Sequence, residues 1–429
     1  MKKIAIVGLG KSGLASAEYF QKKNIPILLY DDNKNTKTPD YLPNITDYKN
    51  WNFDEISEIL FSPGIPVELP KPHPIAEIAK QKNIPIISDI EVLARDKNPT
   101  SKIIAITGTN GKSTTTALVH HILKENNIDC QIGGNFGIPA LSLDVERKNS
   151  WFVLEVSSFQ LDITPKAKFE VAIFLNLTPD HMERYQTLER YAKSKMRIFL
   201  GQERTDLGII CTDTEIMKNL AEEISKHNNI FKFKTGDFFK NEFFPNLMGL
   251  HNLQNISAAY LATKQAGLTD NQIISAIKTF SGLDHRMQKV AEHSRVIFIN
   301  DSKATNADAT EPALKTYENI FWLAGGVPKE GGIESLKEYF SKINTAYFYG
   351  QAKDEFAKTF KNAGFGNFKI LAGFKDAFNE AKKDAIENGK INNKPKPVLL
   401  LSPACASFDE FKNYEERGNL FKDLSNKLN

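Results

Sequence analysis

Cysteine is scarce in this chain. Its three thiols, Cys130, Cys211 and Cys405, are odd in number and far apart in 429 residues, which suits free thiols in a reducing compartment better than a disulfide framework or a metal cluster. Long apolar runs are missing too, and no stretch approaches the roughly 18 apolar residues that would span a bilayer. Met1-Lys2-Lys3 leads into IAIVGLG, but that run breaks at Gly8 and Gly10 and meets Lys11, too early for the apolar core of a secretory signal. Charge of one sign is also lacking. The net charge of +3 comes mostly from dispersed lysines, so no nucleic-acid surface is expected, and the Lys-rich stretch from Lys390 to Lys396 reads as a solvated loop. Low-complexity runs and fixed-period repeats are absent from the sequence. What remains is a globular composition, 41% hydrophobic and 25% charged, in a chain too long for one compact core, so about two to four domains are expected. The expectation is a soluble cytoplasmic protein without membrane insertion.

The strongest signal lies from Lys102 to Leu123, KIIAITGTNGKSTTTALVHHIL. Ile103 to Thr107 is a short β-branched run that reads as a buried strand. Gly108, Thr109, Asn110 and Gly111 form a tight turn, and Lys112, Ser113 and Thr114 open a helix. Such a junction cradles an anion: backbone N–H groups and the helix dipole face a phosphate, the Lys ammonium reaches the outer phosphates, and the Ser hydroxyl ligates Mg²⁺. The loop is shorter than the usual G-x-x-x-x-G-K-[ST], since Thr107 stands four residues before Gly111. A plain turn between core elements is the bland alternative; Lys-Ser after a good strand favours a nucleoside triphosphate site.

Ahead of this stretch, Lys3 to Val7 reads as a strand, followed by Gly8-Leu9-Gly10-Lys11-Ser12-Gly13, a helix, the strand Pro26 to Tyr30 and then Asp31-Asp32. That order is the dinucleotide fingerprint. Read alone it says NAD; equally, the turn holds another diphosphate or none. Ser62-Pro63-Gly64 is a further strand-end loop, and Gly133-Gly134-Asn135-Phe136-Gly137 a second glycine-rich turn.

Glu155 is incongruous in the apolar strand WFVLEV, where a carboxylate is costly to bury unless paired or metal-bound. The strand VAIFLNL delivers Thr178-Pro179-Asp180-His181 at its end. A strand-end acid and a strand-end His downstream of a phosphate loop read as Mg²⁺ neighbours in preference to polar caps. On the helix Leu188 to Leu200, Lys195 falls within the apolar stripe of Leu188, Tyr191, Ala192, Ile198 and Phe199, whereas Arg190, Lys193 and Arg197 fall on the opposite, solvated side. Two readings of Lys195 stay open: a stem snorkelling along the stripe, or an inward lysine whose lowered pKa lets it react as a neutral amine. Beyond the polar hinge Gly282 to Arg286 a third α/β unit begins, with strands at Val296 to Asn300, Ile320 to Ala324, Ala346 to Tyr349 and Pro397 to Leu401, and with polar and small residues gathered at their ends.

These motifs, in this order, resemble the ATP-dependent Mur ligases of bacterial cell-wall synthesis over almost the whole chain. They are GLGKSG at 8–13, SPG at 62–64, GTNGKST at 108–114, GGNFG at 133–137, EVSSFQL at 155–161, NLTPDHMERY at 176–185, YAKSKMR at 191–197, HN at 251–252, GLDHR at 282–286, NDSKATN at 300–306, GGVPK at 325–329 and SPACASFDEF at 402–411. EVSSFQL, NDSKATN and SPACAS together favour the D-glutamate-adding branch. The resemblance implies an α/β protein of three domains: a Rossmann-like N-terminal domain (1–94) for the UDP-substrate, a central P-loop ATPase-like parallel-sheet domain (95–286), and a Rossmann-like C-terminal domain (287–429) for the amino acid. It implies amide synthesis through an acyl phosphate, with ATP as co-substrate, two Mg²⁺ ions and no NAD, on UDP-N-acetylmuramoyl-L-alanine and D-glutamate, by a monomer.

By the same resemblance, Lys112, Glu155, His181 and Lys195 are catalytic. Ser113 and Glu155 hold the first Mg²⁺; His181 and Lys195, the latter as a carbamate, attend the second. Gly108, Thr109, Asn110, Gly111, Lys112, Ser113, Thr114, Asn252, Asn255, Arg286 and Asp301 hold ATP. Gly8, Lys11, Ser12, Gly13, Asp31, Gly64, Asn135 and Gly137 hold the UDP-substrate. Lys303, Thr305, Lys329, Ser407, Phe408 and Tyr414 match the D-glutamate pocket. Phe408 and Tyr414 stand where the family carries a Leu and a Phe, Phe136 is a milder change, and Asp32-Asn33 lacks the basic residue often placed at the uracil. The alternatives are a sister ligase adding another amino acid, a folylpolyglutamate synthase, an NAD-dependent oxidoreductase suggested by residues 8–13, and a nucleotide-gated module without turnover. The oxidoreductase leaves the phosphate loop, Glu155 and His181 without a task, and the folate enzyme has no such N-terminal domain.

Overall fold

The computed structural model describes residues 2–239, 242–244, 246–329, 331–391 and 395–427. The chain is α/β throughout and divides into two compact units, Met1–Phe243 with Leu250–Phe280, and Phe244–Gly249 with Ser281–Asn429.

The first unit contains two parallel sheets. One orders its strands Ile27–Tyr30, Lys3–Val7, Ile56–Phe61, Ile86–Ile87; the other Ile230–Phe233, Leu207–Cys211, Val171–Phe174, Lys102–Thr107, Trp151–Glu155, Cys130–Gly134. Continuous apolar runs suit strands covered on both faces, and Ile103 to Thr107 and Trp151 to Glu155 are buried throughout. The chain leaves Lys102–Thr107 to one side for the next two strands and to the other for Val171–Phe174, so the carboxyl ends at this centre form the switch-point crevice of an open α/β sheet.

The two sheets share one apolar cluster that includes Ile6, Phe20, Leu93, Leu141 and Phe152. Asp89, Ile90 and Glu91 begin the helix Asp89–Asp96, capped by Ser88. That helix ties the sheets together. Gln160 donates to Asp89 at 3.1 Å, Ser88 and Thr164 share a hydroxyl contact at 2.7 Å, and Glu91 accepts from the backbone N–H groups of Lys166 and Ala167.

The GGNFG run also differs from the expected turn. Its first two glycines end the edge strand Cys130–Gly134. Gly134, at φ +97°, lies where a Cβ would sit 2.3 Å from the Glu155 carbonyl; close strand approach, not the turn, demands glycine there.

In the second unit the sheet runs Gln288–His293, Val296–Asn300, Val398–Leu401, Ile320–Gly325, Ile343–Tyr349, Phe368–Ile370, parallel except for the antiparallel first pair. Three neighbouring strands therefore deliver the loops after Asn300, Leu401 and Gly325 to one sheet edge.

Candidate active site

The phosphate loop forms as its sequence predicts. Gly108 and Gly111 take φ of +155° and +81°, and the helix Lys112–Glu125 starts directly after them. The loop is pinned from below by Asn176, which the sequence reading passed over inside the NLTPDH run. The Asn110 N–H donates to Asn176 Oδ1 at 2.8 Å, and Asn176 Nδ2 donates to the Asn110 carbonyl and to Gln254. Asn255 backs the turn: a Cβ on Gly111 would sit 2.2 Å from Asn255 Oδ1. Asn255 accepts from Thr115 and donates to Asn252, so both asparagines assigned to ATP stand behind the loop.

Glu155 ends its strand beside this loop and is 3% exposed. Ser113 Oγ donates to its Oε2 at 2.6 Å and Asn135 Nδ2 to its Oε1 at 2.7 Å. Asn135, expected on the UDP-substrate, thus also holds the carboxylate. Among the described residues Glu155 has no ion pair within 4 Å; Ser113 and Asn135 hold it, and its charge acts on the buried Lys195. Those residues also contain no group of three or more His, Cys, Asp or Glu able to hold a metal. Mg²⁺ needs no such cage. It keeps waters and phosphate oxygens and takes one or two protein oxygens, and a hydroxyl and a buried carboxylate 2.6 Å apart at a phosphate loop fit that share.

Lys195 resolves toward the inward reading. It is 1% exposed, donates to the Gly108 carbonyl at 2.8 Å and lies 4.4 Å from the centre of the Tyr191 ring. Burial, reinforced by the Lys112 charge, holds its ammonium well below the usual lysine range. Lys112 reaches back to the Gly108 and Thr109 carbonyls at 2.9 and 2.8 Å. His181, in a left-handed conformation at φ +56°, packs its ring 4.8 Å from Phe159 and lies 3.5 Å from Asp180. Its side chain is 40% exposed.

At the first sheet, Gly8, Gly13 and Ser62 close around one another: a Cβ on Gly13 would meet the Gly8 carbonyl at 1.9 Å, and Ser62 Oγ donates to that carbonyl. Asp31 accepts from the Leu9 N–H at 2.6 Å and from the Asn33 N–H, so its carboxylate shapes the turn. Lys11, Ser12 and Gly64 lie along the same rim with Lys11 and Gly64 exposed, and Gly137 is exposed beyond Asn135.

In the second unit the sheet edge gathers Asp301, Lys303, Thr305, Lys329, Ser407, Phe408 and Tyr414. Asp301 accepts from Ser402 Oγ at 2.7 Å and from the Met287 N–H; burial pushes its carboxyl up to about 7, with the Arg286 charge opposing. Lys303 sits 4.0 Å over the Tyr414 ring. Ser407 is buried, whereas Phe408 is 72% exposed. Val327 and Ala406 bond reciprocally, joining the GGVPK and SPACAS loops. The residue missed here is Arg417. It is fully buried and donates to Ser302 Oγ, to the Ser302 and Cys405 carbonyls and, at 3.5 Å, to the Gly325 carbonyl, so one guanidinium pins all three loops.

Comparison with known proteins is decisive on family. The model of the Mur ligase MurD-like N-terminal domain matches residues 2–88 and that of the Mur ligase middle domain residues 106–263. The UDP-N-acetylmuramoylalanine–D-glutamate ligase of Rickettsia felis is 40% identical over 99% of this chain and 97% of its own. The chain belongs to the Mur ligase family. Enzymes of the same name from Rickettsia bellii and Mesorhizobium japonicum are 42% and 38% identical, over 99% and 100% of this chain and 98% and 96% of theirs. Solved Mur ligases share the fold: UDP-N-acetylmuramate-alanine ligase of Thermotoga maritima gives a TM-score of 0.58 at 18% identity, covering 99% of both chains. The MurF ligase of the same organism, in complex with ADP, gives 0.59 at 16% identity, covering 99% of this chain and 95% of that one. No described helix is long and apolar enough to cross a membrane.

Proposed function

We propose that the chain joins D-glutamate to UDP-N-acetylmuramoyl-L-alanine at the expense of ATP, through an acyl phosphate, in peptidoglycan precursor synthesis. The observation that carries this reading is the buried Glu155 carboxylate, hydrogen-bonded to Ser113 and Asn135, at the mouth of a phosphate loop flanked by two lysines. A carboxylate is a poor acylating agent, and transfer of the ATP γ-phosphoryl group to the alanyl carboxylate supplies a leaving group that the D-glutamate amine displaces. Mg²⁺, when bound, neutralises charge on the transferring phosphoryl group. Lys112, which reaches back to the Gly108 and Thr109 carbonyls, would add a positive charge to the same group.

Ser113 and Glu155 are the proposed holders of the first ion. For a second ion we propose His181 and Lys195 as a carbamate: a buried lysine with a depressed pKa presents the neutral amine, whose nitrogen would bond to CO₂ and give up one proton, and the adduct would offer oxygens where the free amine is a donor to a carbonyl. The Gly8–Gly13 turn, with Lys11, Ser12, Asp31, Gly64, Asn135 and Gly137, is the proposed cradle of the UDP-substrate. Asn252, Asn255, Arg286 and Asp301 are proposed nucleotide contacts, and Lys303, Thr305, Lys329, Ser407, Phe408 and Tyr414 the D-glutamate pocket. The modules 1–94, 95–286 and 287–429, action as a monomer, a cytoplasmic location and independence of NAD belong to the same proposal.

The test is product analysis. With ATP, Mg²⁺, UDP-N-acetylmuramoyl-L-alanine and D-glutamate, the UDP-substrate should gain one glutamyl residue for each ADP formed. ADP formed without that gain, or no turnover, would overturn the assignment.

A further inference from the structure

The helix Leu188–Met196 presents Lys195 on one face. At 100° per residue, Arg190, Lys193 and Arg197 lie about 140–200° round the axis from it, on the face read from sequence as solvated. In the structure that face is not plain surface. It forms one wall of a cavity of about 430 Å³, whose other walls are Arg184 and the segment Val67–Leu69, with Asp162 and Tyr185 completing it. That volume lies within the range of small-molecule sites.

The charge in this cavity is unbalanced. Four cations, Arg184, Arg190, Lys193 and Arg197, face two carboxylates, Asp162 and Glu68, and none of the four forms an ion pair within 4 Å among the described residues. Arg184 is only 9% exposed. Among the described residues, one of its five N–H donors finds an acceptor, the Ile65 carbonyl at 3.4 Å, and its guanidinium rests on the Phe159 ring at 5.1 Å. There too Arg190 uses a single donor, to Gln186, and Arg197 a single one, to the Leu161 carbonyl. A nearly buried guanidinium with its fork unspent is expensive unless an oxyanion fills it, and the planar fork matches phosphate oxygens two at a time.

The floor connects the cavity to the catalytic segment. Tyr185 OH donates to Asp162 at 2.8 Å and touches Ser194 at 3.2 Å, and Ser194 donates to the Ser158 carbonyl at 2.9 Å. Ser158 is three residues beyond Glu155, and Ser194 immediately precedes Lys195. An occupant would therefore clamp, from behind, the helix that carries Lys195 and the segment that follows Glu155.

We propose that this cavity binds a compact diphosphate, either inorganic or the tail of a nucleotide, at a site separate from the phosphate loop and the Gly8–Gly13 turn. Four cations set against two carboxylates leave the excess of positive charge that a diphosphate requires. The proposal does not depend on which amino acid the enzyme adds, because binding is read without turnover.

The test is calorimetric titration of the full chain with its phosphate loop filled by Mg²⁺ and AMP-PCP, using pyrophosphate in one arm and UDP in the other. The comparison is Arg190→Ala/Lys193→Ala, both exposed positions, with unchanged melting temperature confirming that the variant is folded. Lys22→Ala/Lys124→Ala, remote from the cavity, controls for net charge. Pyrophosphate should fill a site that the cavity variant weakens at least tenfold and the control variant leaves unchanged. If only pyrophosphate shows this loss the occupant is inorganic; if UDP shows it as well, a nucleotide tail is accepted. Equal binding by wild type and cavity variant in both arms, or equal weakening by the control, would overturn the proposal.

Discussion

Lys112 and Lys195 donate to one and the same acceptor, the Gly108 carbonyl, at 2.9 and 2.8 Å. Two side chains that prefer to be cations share one oxygen in a site where Lys195 is almost wholly buried, and the Lys112 charge lowers the affinity of Lys195 for its proton. The arrangement favours a neutral amine at Lys195. Converting that neutral amine into a carbamate would set a negative charge beside the Lys112 cation. Lys195→Ala should therefore reduce turnover by about 100-fold or more, and millimolar short-chain carboxylates should restore part of it. Full activity in the variant would refute the role, and a loss that no carboxylate relieves would count against the carbamate.

Glu155→Gln keeps the shape of the pair with Ser113 and removes the charge. A buried carboxylate without an ion pair within 4 Å costs stability in the metal-free protein, so the variant should melt no lower than wild type when Mg²⁺ is withheld. Its phosphate release should fall by about 100-fold or more, and the rise in melting temperature that Mg²⁺ with a non-hydrolysable ATP analogue gives wild type should shrink. Retention of both would remove Glu155 from the metal site.

Gly111→Ala tests the fit between the phosphate turn and Asn255. The new Cβ would enter at 2.2 Å from Asn255 Oδ1, at a φ of +81° that L side chains rarely adopt. Nucleotide affinity measured by titration should drop at least tenfold, with a stability loss of about 1–3 kcal/mol in urea unfolding. Wild-type affinity would show that the turn is more pliant than its packing indicates.

Asp301 gives the second unit a pH signature. Burial raises its carboxyl from 3.8 to about 7, so the folded state holds the proton more tightly than the unfolded one. Its stabilising contribution is then complete below the ordinary carboxylate value and is lost as pH rises towards 7. Relative to Asp301→Asn, the wild-type melting temperature should fall between pH 5 and pH 8. A difference between the two that does not change with pH would contradict this.

The strands Lys3–Val7 and Val296–Asn300 are legible residue for residue, because each is an apolar run stopped by a glycine or polar loop. The phosphate loop and Glu155 are legible for the complementary reason: polar groups stand where an apolar core element should continue. Gln288–His293 escapes such a reading. As an antiparallel edge strand it is paired on one side, and its QKVAEH sequence carries no clear period. Arg417 escapes as well. In EERGN it looks like any charged residue of a surface helix, and only the three loops closing over it make it internal. The same ambiguity hid the cavity beside Lys195, since a cationic helix face reads as solvated until a neighbouring segment covers it.

The central claim is that this site makes an amide bond to D-glutamate. The most direct measurement is phosphate release from ATP with Mg²⁺ and UDP-N-acetylmuramoyl-L-alanine, comparing D-glutamate, L-glutamate and L-lysine. Stimulation by D-glutamate alone is predicted, with Phe408 and Tyr414 tolerated in the pocket. Stimulation by another amino acid instead, or phosphate release indifferent to all three, would contradict it.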